Sequence, residues 1–418
     1  MKLSHLAETL IGSEIVRLGG EIGEKIRNGE KIFNFTVGDF DPKIFPIPKQ
    51  LENEIIEAYR QHFTNYPAAE GNADLREAIA AFTRDREGLD YQPGEILVSC
   101  GGRPLIYALF RSIVDKGDKV IYAVPSWNNN HYTHLSGGEH VVIETTPENH
   151  FMPSAEDIRP HIKGATLLCI CSPQNPTGTT ISKKDLEEIC RMVVDENASR
   201  PEGAKKLFMM YDQMYWPLTF GEIRHYNPVS LNPGMRNYTV FIDAISKVFA
   251  ATGVRVGWAF GPAEILQKMK SILGHIGAWA PMAEQKATAR FLPQRQQVDE
   301  FLHGFRESIN DRLERIYDAF MELKREGFSV DAIAPEATIY LTIKIDLVGK
   351  TTPAGDTLLS QADVTGYILN TARLAVVPFS AFGARKNSPW YRLSAGTCHL
   401  EDIPEMQSKL REAMQGLQ

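Results

Sequence analysis

Asp243-Ala244-Ile245-Ser246-Lys247-Val248-Phe249-Ala250-Ala251-Thr252-Gly253-Val254-Arg255-Val256-Gly257-Trp258-Ala259-Phe260-Gly261-Pro262 is the stretch around which the chain is organised. An apolar run, Tyr238 to Ile242, leads into a lone lysine, Lys247, and a small-residue loop then delivers Arg255 at the head of a second apolar run. That pattern puts a lysine on a turn between two buried strands. Partial desolvation disfavours its ammonium form, and the neutral amine is the nucleophile a Schiff base requires. A lysine on a surface loop could carry the same local sequence, so the stretch has to be weighed against the rest of the chain.

At 418 residues the chain is long enough for two or three domains. Hydrophobic residues make up 43 % and charged residues 23 %, the balance of a soluble globular enzyme. The net charge of −7 comes without long runs of either sign, so the basic footprint of a nucleic-acid binder is absent. Five cysteines, Cys100, Cys169, Cys171, Cys190 and Cys398, are odd in number and sit in or beside apolar runs. They read as buried thiols of a reducing compartment. Cys169 and Cys171 occupy alternate positions of one strand and no second pair follows, so no metal site is expected. Charged residues interrupt Met1 to Gly20, unlike the apolar core of a signal peptide. Nothing approaches the roughly 18 consecutive apolar residues of a spanning helix, and the predicted location is cytoplasmic with no membrane partner.

Along the chain, residues 5–27 have a helical apolar pattern and Lys31 to Val37 reads as a short strand. Three prolines between Asp41 and Pro48 exclude regular helix and predict a fixed crossing segment. Helices are predicted at Leu51 to Phe63 and, capped by Asn72, at Asp74 to Arg86. From Glu95 onward strands and helices alternate. The strands are Ile96 to Ser99, Lys119 to Val124, His140 to Thr145, Thr166 to Cys171, Leu207 to Tyr211, Thr239 to Ile242 and Val256 to Phe260. They lack polar alternation, which predicts a mainly parallel sheet covered on both faces, with sites at the carboxyl ends of its strands. A long helix near Gln297 to Glu326 follows. A smaller α+β unit then closes the chain: Ile339 to Ile345, a helix from Asp363 to Leu374, Tyr391 to Ser394, and an amphipathic helix from Glu401.

Four loops at predicted strand ends supply complementary groups. Cys100-Gly101-Gly102-Arg103-Pro104 follows a strand and opens a helix, where glycines allow close backbone approach and the helix N-terminus favours an anion such as phosphate. An ordinary tight turn would look alike. Ser172-Pro173-Gln174-Asn175-Pro176-Thr177-Gly178 brings a carboxamide into a proline-stiffened loop, with Asn175-Pro176 a candidate cis bond. Asp212, in Tyr211-Asp212-Gln213-Met214-Tyr215, is a carboxylate at the end of an apolar run, either a helix cap or the partner of a cation. Arg392, in Trp390-Tyr391-Arg392-Leu393-Ser394, puts a planar fork in a late strand, suited to a carboxylate ligand or to a structural ion pair.

Together these loops resemble the class I/II aminotransferases of the aspartate aminotransferase superfamily, the fold type I pyridoxal-phosphate enzymes. The likeness spans nearly the whole chain. It rests on the Tyr66 loop, Gly101-Gly102, Asn175-Pro176-Thr177-Gly178, Asp212 with Tyr215, Ser246-Lys247 with Arg255 and Gly257, and Arg392. The resemblance implies an α/β fold, with a large domain over residues 49–295 built on a seven-stranded, mainly parallel sheet. Residues 1–48 and 296–418 would form a small α+β domain closing over the substrate. It implies that Lys247 forms a Schiff base with pyridoxal 5'-phosphate and later shuttles a proton, and that Asp212 keeps the pyridine nitrogen protonated. Asn175 and Tyr215 would hold the ring hydroxyl oxygen and Trp127 would stack on the ring. Gly102, Arg103 and Arg255 would bind the phosphate, with Tyr66 reaching it from the other subunit of a homodimer, and Gly101 and Ser246 would complete the cofactor site. Arg392, with the Gly38 backbone and Asn175, would bind the substrate α-carboxylate. The substrates would be an L-amino acid and a 2-oxo acid.

Two features depart from the family pattern. Many relatives place a serine or threonine three residues before the lysine, where this chain has Ala244. Dicarboxylate-specific relatives often present an arginine in the segment corresponding to Gly274 to Pro281, which here contains His275 and Trp279 and no arginine. Trp279 would suit an apolar or aromatic side chain and His275 an acid. Two other readings use the same fold. A lyase or racemase would share the chemistry of Lys247 and Asp212 and would differ in showing no oxo-acid-dependent amino transfer. A non-catalytic, cofactor-binding regulator would carry a DNA-binding part, whereas about 30 residues precede the first strand and no basic helix pair is seen.

Overall fold

The computed structural model describes residues 2–12 and 14–418. After β1 (Phe33–Asn34), strands β2 (Ile96–Ser99), β3 (Lys119–Val124), β4 (Glu139–Glu144), β5 (Ala165–Cys171), β6 (Phe208–Asp212), β7 (Thr239–Ala244) and β8 (Gly257–Phe260) follow in sequence. The last seven form one sheet in the order β2-β8-β7-β6-β5-β3-β4. Successive residues of a strand point to opposite faces, so its near-continuous apolar runs feed two cores at once. Leu168, Ile170 and Phe241 enter one core with the helices Ala73–Glu87 and Met282–Phe291. Leu167, Cys169, Val240 and Ile242 enter the other with the helices Gly102–Ile113 and Ala263–Ile276. Each such side chain, fully buried, contributes about 1.5–3 kcal/mol.

Six of the seven strands run one way. β8 is antiparallel to both of its neighbours, β2 and β7. Its reversal brings Gly257, at its start, level with Ser99 and Ala244, at the ends of β2 and β7. Cys171 pairs with Asp212, and Asp212 with Ile242, along the same edge. All the loops singled out in the sequence between residues 100 and 257 therefore open on one rim.

A second sheet comprises β9 (Val330–Ala332), β10 (Tyr340–Ile345), β12 (Val377–Pro378) and β13 (Trp390–Ser394), while β11 (Leu374–Ala375) pairs in parallel with β1. The long helix Arg295–Arg325 and the last helix, Asp402–Gln415, pack behind this sheet. Arg392 on β13 stands opposite Thr342 on β10, whose Oγ1 donates to Thr177 O at 2.7 Å. That bond ties the second sheet to the loop after β5.

The structure departs from the expected elements in three places. The helical pattern over residues 5–27 forms two helices, His5–Thr9 and Glu14–Arg27, with Leu10 extended after the first. Only Phe33–Asn34 of the predicted Lys31 to Val37 strand is paired. The helix expected at Asp363 to Leu374 is α-helical only over Gln361–Tyr367, widens over Ile368–Ala372, and stops at Arg373, which takes φ 58°. Leu374 is thereby released to pair with Phe33. The partner strand lies at the far end of the chain, so no local pattern announces that break.

Candidate active site

Between the rim of the large sheet and the second sheet lies a cavity of about 660 Å³. Lys247 reaches it from a single helical turn, Ile245–Val248, which leaves β7 at Ala244. Ala244 offers that turn no side-chain cap. Lys247 Nζ donates to Gly38 O at 2.6 Å. Burial pushes the lysine down to about 8; Asp39 opposes the shift, and Arg392, Arg103 and Arg255 add to it. Beyond the turn, Ala250 and Arg255 hold left-handed φ values of 49° and 62°. Such values are uncommon outside glycine and cost on the order of 1 kcal/mol each.

The strained loop aims Arg255 at the opening of the helix Gly102–Ile113. Its Nη1 donates to Thr252 O at 2.6 Å and its Nη2 to Cys100 O at 2.8 Å. Gly101 has φ 98°, and any Cβ there would strike the Arg255 guanidinium, so the residue has to be glycine. Free amides at this helix start, next to a guanidinium held only by carbonyls, form an anion site. Arg103 lies 5.1 Å over the Trp127 ring, and both line the cavity with Ser246.

Asp212 stands at the end of β6, its Oδ1 accepting from Met214 N at 3.1 Å. Among the described residues no cation lies within salt-bridge reach of it, and burial raises its carboxyl to about 6. Across the cavity, Arg392 is buried; Nη1 donates to Asn175 Oδ1 at 3.1 Å and Nη2 to Thr36 O at 2.7 Å. Its Nε has no protein partner, and burial holds the guanidinium below its usual value. The Asn175–Pro176 bond is cis, as its loop suggested. Tyr215 Oη and Tyr340 Oη are 2.8 Å apart, and burial raises both phenols. A Cβ on Gly38 would stand 2.7 Å from Tyr340 Oη, so only glycine lets this backbone approach so closely.

Thus Gly38, Gly102, Arg103, Trp127, Asn175, Asp212, Tyr215, Ser246, Lys247, Arg255 and Arg392 line one cavity, with Gly101 directly behind Arg255. Tyr66 does not join them within the same chain. It is 82 % exposed and meets Trp279 edge to face at 5.4 Å. His275 is exposed at the end of its helix. Sequence reasoning missed Tyr340, Asp39 and Thr252. Tyr340 is one tyrosine within an apolar run, and Asp39 and Thr252 lie beside Gly38 and Lys247 with no motif of their own.

The donor set fits the cofactor that the resemblance implies. An anion cradle, a buried carboxylate without a cation and a desolvated lysine match its phosphate, ring nitrogen and carbonyl, and Arg392, which lines the same cavity, remains for a substrate carboxylate.

Residues 30–410 match the family model described as aminotransferase class I and II. The aspartate aminotransferase of Rhizobium meliloti (strain 1021) is 27 % identical over 392 residues, covering 93 % of this chain and 90 % of that protein. The aspartate/prephenate aminotransferase of Thermus thermophilus is 29 % identical over 386 residues, covering 91 % and 92 %. The solved structure of aspartate aminotransferase from Rhizobium meliloti aligns with a TM-score of 0.90 at 25 % identity over 100 % of both chains. That of the Thermus thermophilus enzyme with maleate aligns at 0.87 and 26 % identity, covering 99 % of this chain and 100 % of that one.

Proposed function

The chain belongs to the class I and II aminotransferases and is a pyridoxal 5'-phosphate-dependent enzyme moving an amino group between an amino acid and a 2-oxo acid; from that premise we propose the residues that carry the reaction. The observation supporting the assignment most directly is Lys247, a buried amine on the rim of the sheet with no carboxylate in salt-bridge reach among the described residues. It is the amine to which the cofactor is joined. Gly101, Gly102, Arg103, Ser246 and Arg255 hold the phosphate, Asp212 pairs with the ring nitrogen, Asn175 and Tyr215 hold the ring hydroxyl, and Trp127 covers the ring. When bound, the cofactor supplies an electron sink for the substrate's α-carbon.

The protein's own part is binding, orientation and proton transfer. Arg392, oriented by the bonds from its two amino groups to Asn175 and Thr36, presents the N–H groups left free on them to the α-carboxylate beside the Gly38 backbone. With the cofactor in place, Lys247 Nζ would take the substrate's α-proton and hold it for return. Burial brings the amine down from 10.5 to about 8, nearer to neutral pH and so better suited to both taking and giving a proton.

Residues 49–295 act as the large domain, and 1–48 with 296–418 as the small domain that closes over the substrate. The cavity wall supports this reading, since Gly38, Tyr340 and Arg392 face Lys247 and Asp212 across it. The active unit is a homodimer in which Tyr66 enters the partner's site; its exposure, with Tyr59 and Ile276 also exposed, supports that arrangement. No helix among the described residues is long and apolar enough to cross a membrane. A cytoplasmic location is our reading, resting on five unpaired cysteines. A screen of amino donors against 2-oxoglutarate and pyruvate identifies the substrate pair.

Lys247→Ala tests the assignment. After borohydride treatment the wild type should retain cofactor covalently on the peptide containing residue 247, and the variant should retain none. Equal covalent retention in the variant would refute the role of Lys247.

A further inference from the structure

Besides Asp212, one carboxylate lines the cavity: Asp39. It follows Gly38 on the segment between β1 and the helix Lys49–Arg60, and three bonds fasten that segment around Asp39. Lys247 Nζ donates to Gly38 O at 2.6 Å. Thr252 Oγ1 donates to Asp39 Oδ1 at 2.6 Å, and the same oxygen accepts from Phe40 N at 2.8 Å. Asp41 N donates to Gly396 O at 2.9 Å, just beyond β13. Thr252 also belongs to the seat of Arg255, through its carbonyl. Asp39 therefore joins the carbonyl that meets Lys247, the loop that aims Arg255 and the end of the strand that carries Arg392.

The charges around Lys247 are unbalanced. Arg103 comes from the helix after β2, Arg255 from the loop before β8 and Arg392 from β13, and none forms a salt bridge among the described residues. Asp212 and Tyr215 stand at and beyond the end of β6, Cys171 at the end of β5, and Tyr340 on β10. The three guanidinium groups disfavour the Lys247 ammonium and Asp39 favours it.

We propose that Asp39 is a positioning residue for Lys247: through Thr252 it holds the Gly38 carbonyl against the lysine amine, and its charge offsets the three guanidinium groups that face the same amine. A bonded carboxylate does this without reorganising as the amine changes charge, which a mobile side chain or water would not. Asp39 need not touch the reacting atoms. The role rests on Lys247 being the cofactor-bearing amine.

The two halves of the role separate experimentally in the holoenzyme. Asp39→Asn keeps the size and an acceptor for Thr252 but removes the charge. The pH midpoint of the visible absorbance of the bound cofactor should fall by about one unit, the low end of the effect of one neighbouring charge. Thr252→Val keeps the charge and frees the carboxylate. It should raise KM for the amino donor about tenfold while kcat changes less than about twofold, as expected when a binding segment loosens, and Thr252→Ser should restore KM. A midpoint unchanged in Asp39→Asn overturns the charge role, and an unchanged KM in Thr252→Val overturns the clamp. A wild-type holoenzyme whose visible absorbance ignores pH overturns the Lys247 assignment itself, and this role with it.

Discussion

Asp243→Asn should alter how the stability of this enzyme depends on pH. Asp243 is fully buried on the face of β7 turned away from the cavity. Its Oδ2 accepts from Trp216 Nε1 at 3.0 Å and its Oδ1 from Ala244 N at 2.7 Å. Nearby, Gln213 Nε2 donates to Glu87 Oε2 at 2.7 Å, and His225, 4.0 Å from Glu87, is driven by burial down to about 3 and so is neutral. With no cation in the cluster, burial raises the Asp243 carboxyl from 3.8 to about 8. The folded chain then keeps a proton that the unfolded chain releases. Its contribution is complete below pH 3.8 and is lost as pH rises toward about 8, at a slope of about 1.4 kcal/mol per pH unit.

Asparagine carries no titrating proton, so this slope disappears. Its single carbonyl serves only one of the two donors, which costs about 1–2 kcal/mol where the wild-type carboxyl is protonated. The deficit of the variant, present below about pH 4, should close by about 1.4 kcal/mol per pH unit, reverse near pH 5 and become an advantage that grows up to about 8. Equilibrium urea unfolding of both proteins at several pH values in that window measures the difference, because the titrations other than those of Asp243 and its coupled neighbour Glu87 are common to the pair. A difference independent of pH would mean that Asp243 is ionised throughout in the fold, and would refute the argument from burial.

Two further outcomes follow from the site. Cofactor should rejoin the stripped protein at a rate that climbs with pH and levels off above about 8, because only the neutral Lys247 amine attacks and burial has lowered it to that value. Levelling off only near the ordinary lysine value would contradict the desolvation of Lys247. Arg392→Lys keeps the charge but cannot hold Asn175 and Thr36 while presenting a planar N–H, so kcat/KM for the amino donor should fall about 100-fold, or about 3 kcal/mol. An unchanged kcat/KM would remove Arg392 from carboxylate binding.

Lys247, Asp212, Asn175, Gly102 and Arg255 were legible in the sequence because each sits within a few residues of an apolar run's end, and in a parallel sheet such ends converge on one rim. Asn175–Pro176 is cis as its proline-stiffened loop suggested, whereas the cis bonds Val124–Pro125 and Ser172–Pro173 were not foreseen, and Asn227–Pro228 and Asn232–Pro233, of the same residue type, are not cis. The direction of β8 was not legible. Gly257–Phe260 is a short apolar run that reads alike in either direction, and only its pairing with β2 and β7 reverses it. The predicted helix to Leu374 failed for a related reason: its local pattern continues, but Phe33 competes for Leu374 through a contact between distant parts of the chain.

By itself the sequence determined which segments are buried, where they end and which reactive groups stand at those ends, because burial period and turn chemistry are properties of a few consecutive residues. Tertiary structure alone decided what those groups meet: Tyr340 opposite Tyr215, Asp39 bonded to Thr252, the Gly38 carbonyl on Lys247, and Tyr66 outside the cavity of its own chain. Each of these turns on side chains or backbone from separate elements arriving at one place. Packing settles that arrival, and no period in the chain encodes it.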